Sequence, residues 1–411
     1  MLEIERYKES LKPLLQLCGE QKYAYYRFVV MQNWYDYVCK RLIPKYESEI
    51  FDDTMIMEVL GNALELERHT RHDIKAMEYA IRKRVKYPRY VHFCMTSQDV
   101  VSLATAMYIN PILDRTRLEV YDLLSSLKEI FTNEHRIVAK THGQSAVVST
   151  LKHHMDVYVH RISNIKIDRI NNVKCFGAVG NKQVIKALNL ETVIMPQEFL
   201  NKFGYHQQPS TQTDNWYEFV KICHNYHHLS AILIDLCQNL WGYISDGEIS
   251  LMSSGFGSST MYQKSNPIEF ENAEGNFKMS MSKFSHYTKS LPISRFYRDL
   301  SDSVQMRFLH EPFLHLYLGI AMLKKGLKRI SYNHSFNTHK LLNSYESLTE
   351  IVQTFIRMKL GDDVTTQHVI KNVVTQNMNT EQYQDFLNNL EKSLGHRLEE
   401  LRGISPLNVP I

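Results

Sequence analysis

Apolar residues recur at i, i+3 and i+4 along most of the chain, while period-two alternation is short and scattered, so the sequence predicts an architecture of helices. Over residues 215 to about 243, Phe219, Ile222, Cys223, Tyr226, Leu229, Leu233, Leu236, Leu240 and Trp241 mark one face, with neither proline nor glycine before Gly242. At 1.5 Å per residue such a helix is roughly 45 Å long. Val220, Ile232 and Ile234 lie off that stripe and leave the polar face thin, which predicts burial among several long helices. A similar pattern over 145–173, through Val148, Leu151, Met155, Val159, Ile162 and Ile165, predicts a second long helix, and 111–132 a third. Pro111 is expected to open or kink that third helix. Glycine-bearing breaks fall near 177–180, 247–257 and Gly361. The segment 246–259, DGEISLMSSGFGSS, has weak periodicity and reads as a loop able to change shape.

A chain of 411 residues exceeds one ordinary core and predicts two or three helical sub-domains. With 44% hydrophobic and 22% charged residues, the composition is that of a folded enzyme and not of a disordered chain. The net charge of +4 is spread out, and the densest basic run, Arg82-Lys83-Arg84-Val85-Lys86, has no second cluster, so no nucleic-acid groove is expected. A small anionic substrate suits that balance better. Six cysteines without a C-x-x-C pair suggest neither zinc nor redox chemistry and fit a reducing, cytoplasmic compartment. No run of eighteen apolar residues predicts a membrane span, and the N-terminus is charged from its third residue. His224, His227 and His228 share a helix face but lack a carboxylate or cysteine at ligand spacing, so no metal is expected there, nor at His153-His154.

Three segments carry chemistry. Residues 257–267, GSSTMYQKSNP, follow the glycine-serine loop; Met95-Thr96-Ser97-Gln98-Asp99 precedes an apolar helix; and Lys140-Thr141-His142-Gly143-Gln144 lies between them. In order and spacing they resemble the signature blocks of the fumarase/aspartase superfamily. The combination of T-S-Q-D, T-H-G-Q and the S-S-T-M run before N-P-I-E-F-E-N resembles the adenylosuccinate lyases, in particular their bacterial-type branch. Arg6-Tyr7, the run Arg71-His72-Asp73-Ile74-Lys75-Ala76, the run Gly177-Ala178-Val179-Gly180-Asn181 and the run from Pro292 to Ser303 agree with it. The likeness covers about residues 1–350, and the last sixty residues match only as a generic helical cap. Tyr262, where the signature has proline, and Arg71, where the branch has a small polar residue, are departures.

The resemblance implies an all-α fold of three domains: an N-terminal helical domain over 1–90, a central long-helix bundle with the signature loop over 91–330, and a C-terminal helical domain over 331–411. It also implies a homotetramer with a twenty-helix core, and sites shared between subunits. The implied reaction eliminates fumarate from adenylosuccinate, and from the succinylated imidazole-carboxamide nucleotide SAICAR, without metal or organic cofactor. In it Ser258 takes the proton beside the carboxylate, His142 protonates the departing nitrogen, and Glu271 orients His142. Thr96, Ser97, Thr141, Gln212, Lys264 and Asn266 are implied at the succinyl group, where charge develops, and Ser259 and Asn272 as further substrate contacts. Arg6, Tyr7, Arg298, Ser303 and Arg307 are implied at the nucleotide phosphate and purine, with Arg71, His72 and Asp73 between the two ends. Two other readings stay open at this point: an argininosuccinate-lyase-like enzyme, and a non-catalytic structural relative.

Overall fold

The computed structural model describes residues 5–175, 177–252, 264–361, 369–371 and 373–411, and among them the chain is all-α, with strands confined to three two-stranded sheets. Among the described residues the longest helices are Ser97–Ile130 and Tyr217–Ser245, followed by Glu20–Leu42 and Ile268–Ser290 at equal length. Tyr217–Ser245 follows its apolar stripe: Phe219, Ile222, Cys223, Tyr226, Leu229, Leu233, Leu236 and Leu240 are all buried. Ile232, off the stripe, is buried too, but Val220 and Ile234 are only half-buried and Trp241, at the end of the stripe, is exposed, so the expected burial is met in part. Ser97–Ile130 continues through Pro111, so that residue does not open the helix. A proline inside a helix costs about 3 kcal/mol. Full burial of Ile109, Ile112 and Leu113 beside it contributes about 1.5–3 kcal/mol each, which exceeds that cost.

The single helix expected over 145–173 is not found. Arg136–Thr141 and Gln144–Thr150 form an antiparallel hairpin, and only Leu151–Ser163 is helical. The run Ala146-Val147-Val148-Ser149-Thr150 carries three β-branched residues, Val147, Val148 and Thr150, and suits a strand. Thr150 then starts the helix by accepting a hydrogen bond from the His153 N–H at 3.0 Å. The apolar spacing therefore crossed a strand-to-helix junction. Part of the loop expected at 246–259 is likewise a strand: Ile249–Leu251 pairs antiparallel with Ile330–Tyr332. No helix among the described residues is long and apolar enough to cross a membrane.

The chain forms two compact units: Met1–Tyr121, Ile165–Ile234 and Ala273–Ala321 make the first, and Asp122–Asn164, Asp235–Asn272 and Met322–Ile411 the second. In the first, Tyr226, Phe284 and Phe313 pack as an aromatic triplet with centroids 5.0–5.5 Å apart. Gly319 allows Phe277 against the Glu311–Leu327 backbone, because a Cβ there would lie 2.5 Å from the ring. In the second, Leu348, Val352, Ile356, Tyr383, Phe386, Leu387 and Leu390 form one apolar cluster. The Thr380–Leu394 helix of that cluster opens on a capping box between Asn379 and Gln382.

Gly319→Val is expected to destabilise the fold by about 1–3 kcal/mol through overpacking on Phe277. Chemical denaturation of the two proteins side by side checks this, and an unchanged midpoint would refute the close approach.

Candidate active site

In the first unit a cleft of about 310 Å³ gathers nine of the residues singled out in the sequence: Arg71, His72, Asp73, Thr96, Ser97, Gln212, Arg298, Ser303 and Arg307. Arg71 ends the Asp53–Thr70 helix in the left-handed region, φ +50, with its N–H bonded to the Glu67 carbonyl at 2.8 Å. Small polar residues reach that conformation more easily than arginine, which gives the departure at this position a backbone context. His72 caps the next helix, Asp73–Arg82: its Nδ1 accepts from the Lys75 N–H at 3.3 Å. A ring nitrogen that accepts carries no proton, so the proton of the neutral ring sits on Nε2, 3.5 Å from Ser97 Oγ. Asp73 is held by Arg27, whose Nη1 donates to Oδ2 at 2.8 Å.

Arg298 is fixed before any ligand arrives. Its Nη1 faces both Asp302 oxygens at 3.4 and 3.5 Å, and Gln98, with its amide oxygen turned inward, accepts from Nη1 and Nη2 at 2.8 and 3.1 Å. Asp302 in turn accepts from Thr213 Oγ1 at 3.0 Å and from the Trp216 indole at 3.4 Å. The cleft thus carries four arginines, Arg27, Arg71, Arg298 and Arg307, against one carboxylate, Asp73. Such a surface attracts a phosphate-bearing anion.

Beneath the cleft lies a buried polar network. Thr96 precedes the Ser97–Ile130 helix, and Asp99 in its first turn accepts from the Thr96 N–H at 2.8 Å and from the Gly177 N–H at 3.1 Å. Asp99 is also ion-paired with Lys174, and both side chains are at most 1% exposed. Lys174 Nζ donates onward to the Gly177 carbonyl at 2.8 Å. Next to it, Asp214 accepts from Ser102 Oγ, from Gln208 Nε2 at 2.8 Å and from the Trp216 N–H at 2.9 Å. Burial holds the Asp214 carboxyl above the usual carboxylate range, against the lowering effect of these donors. Arg27 and Lys174 were not singled out in the sequence, and Gln98 and Asp302 stood there only inside matched segments, with no role assigned. Lys174 had a signal, since a lone lysine in the apolar run Val173-Lys174-Cys175-Phe176 demands a partner.

The second unit carries the other group. His142 and Gly143 are the two central residues of the turn joining the hairpin strands, with φ +53 and +74. Positive φ at both centres is the requirement of a type I′ turn, whose twist matches that of the strands. His142 therefore stands exposed at the hairpin tip with Thr141 beside it. Lys140, one residue before Thr141, is ion-paired with Asp246. Glu271, in the first turn of the Ile268–Ser290 helix, accepts from the Trp241 indole at 3.2 Å. Lys264 is exposed, and Asn266 and Asn272 are half-buried. Arg6 and Tyr7 sit on the short Glu5–Tyr7 turn of helix and do not line the cleft. Ser258 and Ser259, with Tyr262, lie outside the described residues. No group of three His, Cys, Asp or Glu side chains suited to a metal occurs among the described residues.

A family model described as lyase matches residues 50–279, and another, adenylosuccinate lyase C-terminal, matches 294–408. The adenylosuccinate lyase of Dictyostelium discoideum is 30% identical over 317 residues, covering 71% of this chain and 68% of that protein. The chain belongs to the adenylosuccinate lyase family. Its class is therefore that of the carbon–nitrogen lyases. The adenylosuccinate lyase of Haemophilus influenzae is 27% identical over 381 residues, covering 86% of this chain and 83% of that protein. The match over 294–408 corrects the expectation of a merely generic cap: the C-terminal helices belong to the adenylosuccinate lyase pattern. The fold is shared with a fumarate lyase from Mesorhizobium sp. BNC1 at TM-score 0.71 and 13% identity, over 93% of this chain and 91% of that one.

Lys174→Met should cost about 3–5 kcal/mol, because it leaves Asp99 buried and unpaired. The double variant Lys174→Met/Asp99→Asn should recover part of that loss. Thermal unfolding of the three proteins checks the pair, and a Lys174→Met chain as stable as the parent would exclude it.

Proposed function

We propose that this adenylosuccinate lyase family member cleaves adenylosuccinate to AMP and fumarate in purine nucleotide biosynthesis, and SAICAR to AICAR by the same elimination. One observation carries the reading: the cleft of the first unit presents four arginines and one carboxylate, with two of the arginines already held by fixed acceptors. Phosphate fits a fork of planar donors, and a guanidinium oriented in advance loses less entropy on binding. Arg298, Ser303 and Arg307 hold the nucleotide end, with Arg6 and Tyr7 joining them. His72 and Asp73, with Arg71, lie toward the bond that breaks.

In the reaction, Ser258 takes the proton from the carbon beside the carboxylate. The C–H electron pair forms the double bond of fumarate as the C–N bond breaks, and His142 supplies the proton that the departing nitrogen needs. Thr96, Ser97, Thr141, Gln212, Lys264 and Asn266 stabilise the carboxylate as it becomes a dianion, and Ser259 and Asn272 make further substrate contacts. Glu271 accepts from the second ring nitrogen of His142. The exposure of the His142 imidazole at a hairpin tip supports a site completed by other copies of the chain. Accordingly, the working species is a cytoplasmic homotetramer, with the domains 1–90, 91–330 and 331–411 and a core built from the long helices of the middle one.

His142→Ala and Ser258→Ala are each expected to lower turnover by roughly 10² to 10⁴ while leaving the tetramer intact. The loss of the succinylated chromophore in the ultraviolet reports turnover. Mixing the two inactive variants under conditions of subunit exchange should restore activity, since some mixed sites receive both intact residues. Near-normal turnover in either single variant removes that residue from its role, and an active monomer removes the shared site.

A further inference from the structure

We infer that Arg329 is a positioning residue for the signature segment, holding Lys264 and Asn266 where they meet the substrate carboxylate; this rests on the proposed role of those two residues. Arg329 lies between the Glu311–Leu327 helix and the Ile330–Tyr332 strand, and its side chain is 12% exposed. Its guanidinium reaches three separate stretches of chain. Nε and Nη2 donate to the Met252 carbonyl at 3.2 and 3.0 Å, Nη2 also donates to Ser265 Oγ at 3.1 Å, and Nη1 is ion-paired with Glu269. Met252 and Ser265 stand on the two sides of segment 253–263, so one side chain fixes both described flanks. Ser265 is flanked by Lys264 and Asn266, and their backbone positions follow from its anchoring.

The surroundings make this anchor stiff. Glu269 is 5% exposed, so the ion pair with Arg329 lies almost wholly out of solvent. The Met252 N–H donates to the Arg329 carbonyl at 2.7 Å, and the Arg329 N–H to the Gly326 carbonyl at 2.9 Å, which locks the backbone that carries the guanidinium. Gly326 also lets the start of the Ile268–Ser290 helix press close, since a Cβ there would meet Phe270 Cζ at 2.9 Å and Glu269 Cβ at 3.2 Å. A planar fork serves a carbonyl, a hydroxyl and a carboxylate in fixed directions, and an ammonium does not. Lysine at this position would keep the charge beside Glu269 and lose the simultaneous hold on Met252 and Ser265.

The test compares Arg329→Lys, Arg329→Ala and Lys264→Ala with the parent full-length chain, by steady-state cleavage of adenylosuccinate and by thermal unfolding. A misplacement of about 1 Å in a positioned group costs on the order of 10² in rate. Arg329→Lys should therefore lose about tenfold or more in kcat at a melting temperature close to the parent's, with the smaller change in KM, because the lost contacts act in the transition state. Arg329→Ala should lose more, and millimolar guanidinium chloride should restore part of its kcat. Parent-like kcat in Arg329→Lys, with Lys264→Ala impaired, overturns the inference. So does a folded Arg329→Ala chain whose deficit ignores guanidinium; if that variant does not fold, Arg329→Lys decides. Parent-like kcat in Lys264→Ala would instead overturn the role of Lys264 on which the inference rests.

Discussion

The buried ion pair between Asp99 and Lys174 is the constraint on which the cleft of the first unit depends. Taking two charges out of water is expensive, and the attraction between them repays this only when every remaining donor and acceptor is used. Here they are used on the backbone: Asp99 receives the N–H groups of Thr96 and Gly177, and Lys174 gives its second bond to the Gly177 carbonyl. The start of the longest helix and the strand-like segment around residue 174 are thereby tied at one point. Thr96 and Ser97 take their places in the cleft from that tie. Beside the pair, Asp214 gathers Ser102, Gln208 and the Trp216 N–H, and Ser102 also accepts from the Lys174 N–H at 2.8 Å, so the two buried carboxylates share one network.

Each unit solves a different problem. The first unit assembles a cationic surface and must keep its arginines from collapsing onto one another; Asp302, Gln98 and Asp73 do this by fixing two of them in separate directions. Gln98 and Asp302 are buried and Asp73 is half-buried, so the two orientations are set by the protein and binding an anion requires little rearrangement. The second unit carries a histidine on a two-residue turn, where nothing but the strand register determines its placement. Thr141 pairs with Gln144, and any change in that register would move the imidazole to the other side of the hairpin.

Where one physical effect dominated a stretch of sequence, its structure was legible. The Tyr217–Ser245 helix has an unbroken apolar stripe and no breaker, and its ends fall within two residues of the reading. The T-S-Q-D and Arg71-His72-Asp73 segments, read as site residues, also meet in one cleft. Legibility failed where two effects competed. At Pro111 local backbone preference opposed the burial of the flanking isoleucines and leucine, and burial won. Over 144–150 an apolar spacing compatible with a helix coincided with β-branched residues and a two-residue turn, and the turn won. Arg27 and Arg329 were invisible because their roles arise from partners 46 and 60 or more residues away, a distance over which no local pattern carries information.

Two glycine–phenylalanine contacts have a joint mechanical meaning. Phe277 sits against Gly319 and Phe270 against Gly326, so the partners are seven residues apart on both helices and run in opposite directions. They act as teeth of a ratchet. Sliding one helix past the other by a single turn would push Phe277 onto Leu316 or Leu323, and neither leaves room for a ring beside the backbone. A slide of two turns would re-engage one tooth and strip the other. The axial position of the Ile268–Ser290 helix, and with it the height at which Asn272 and Glu271 are presented, is consequently set in discrete steps of which one fits.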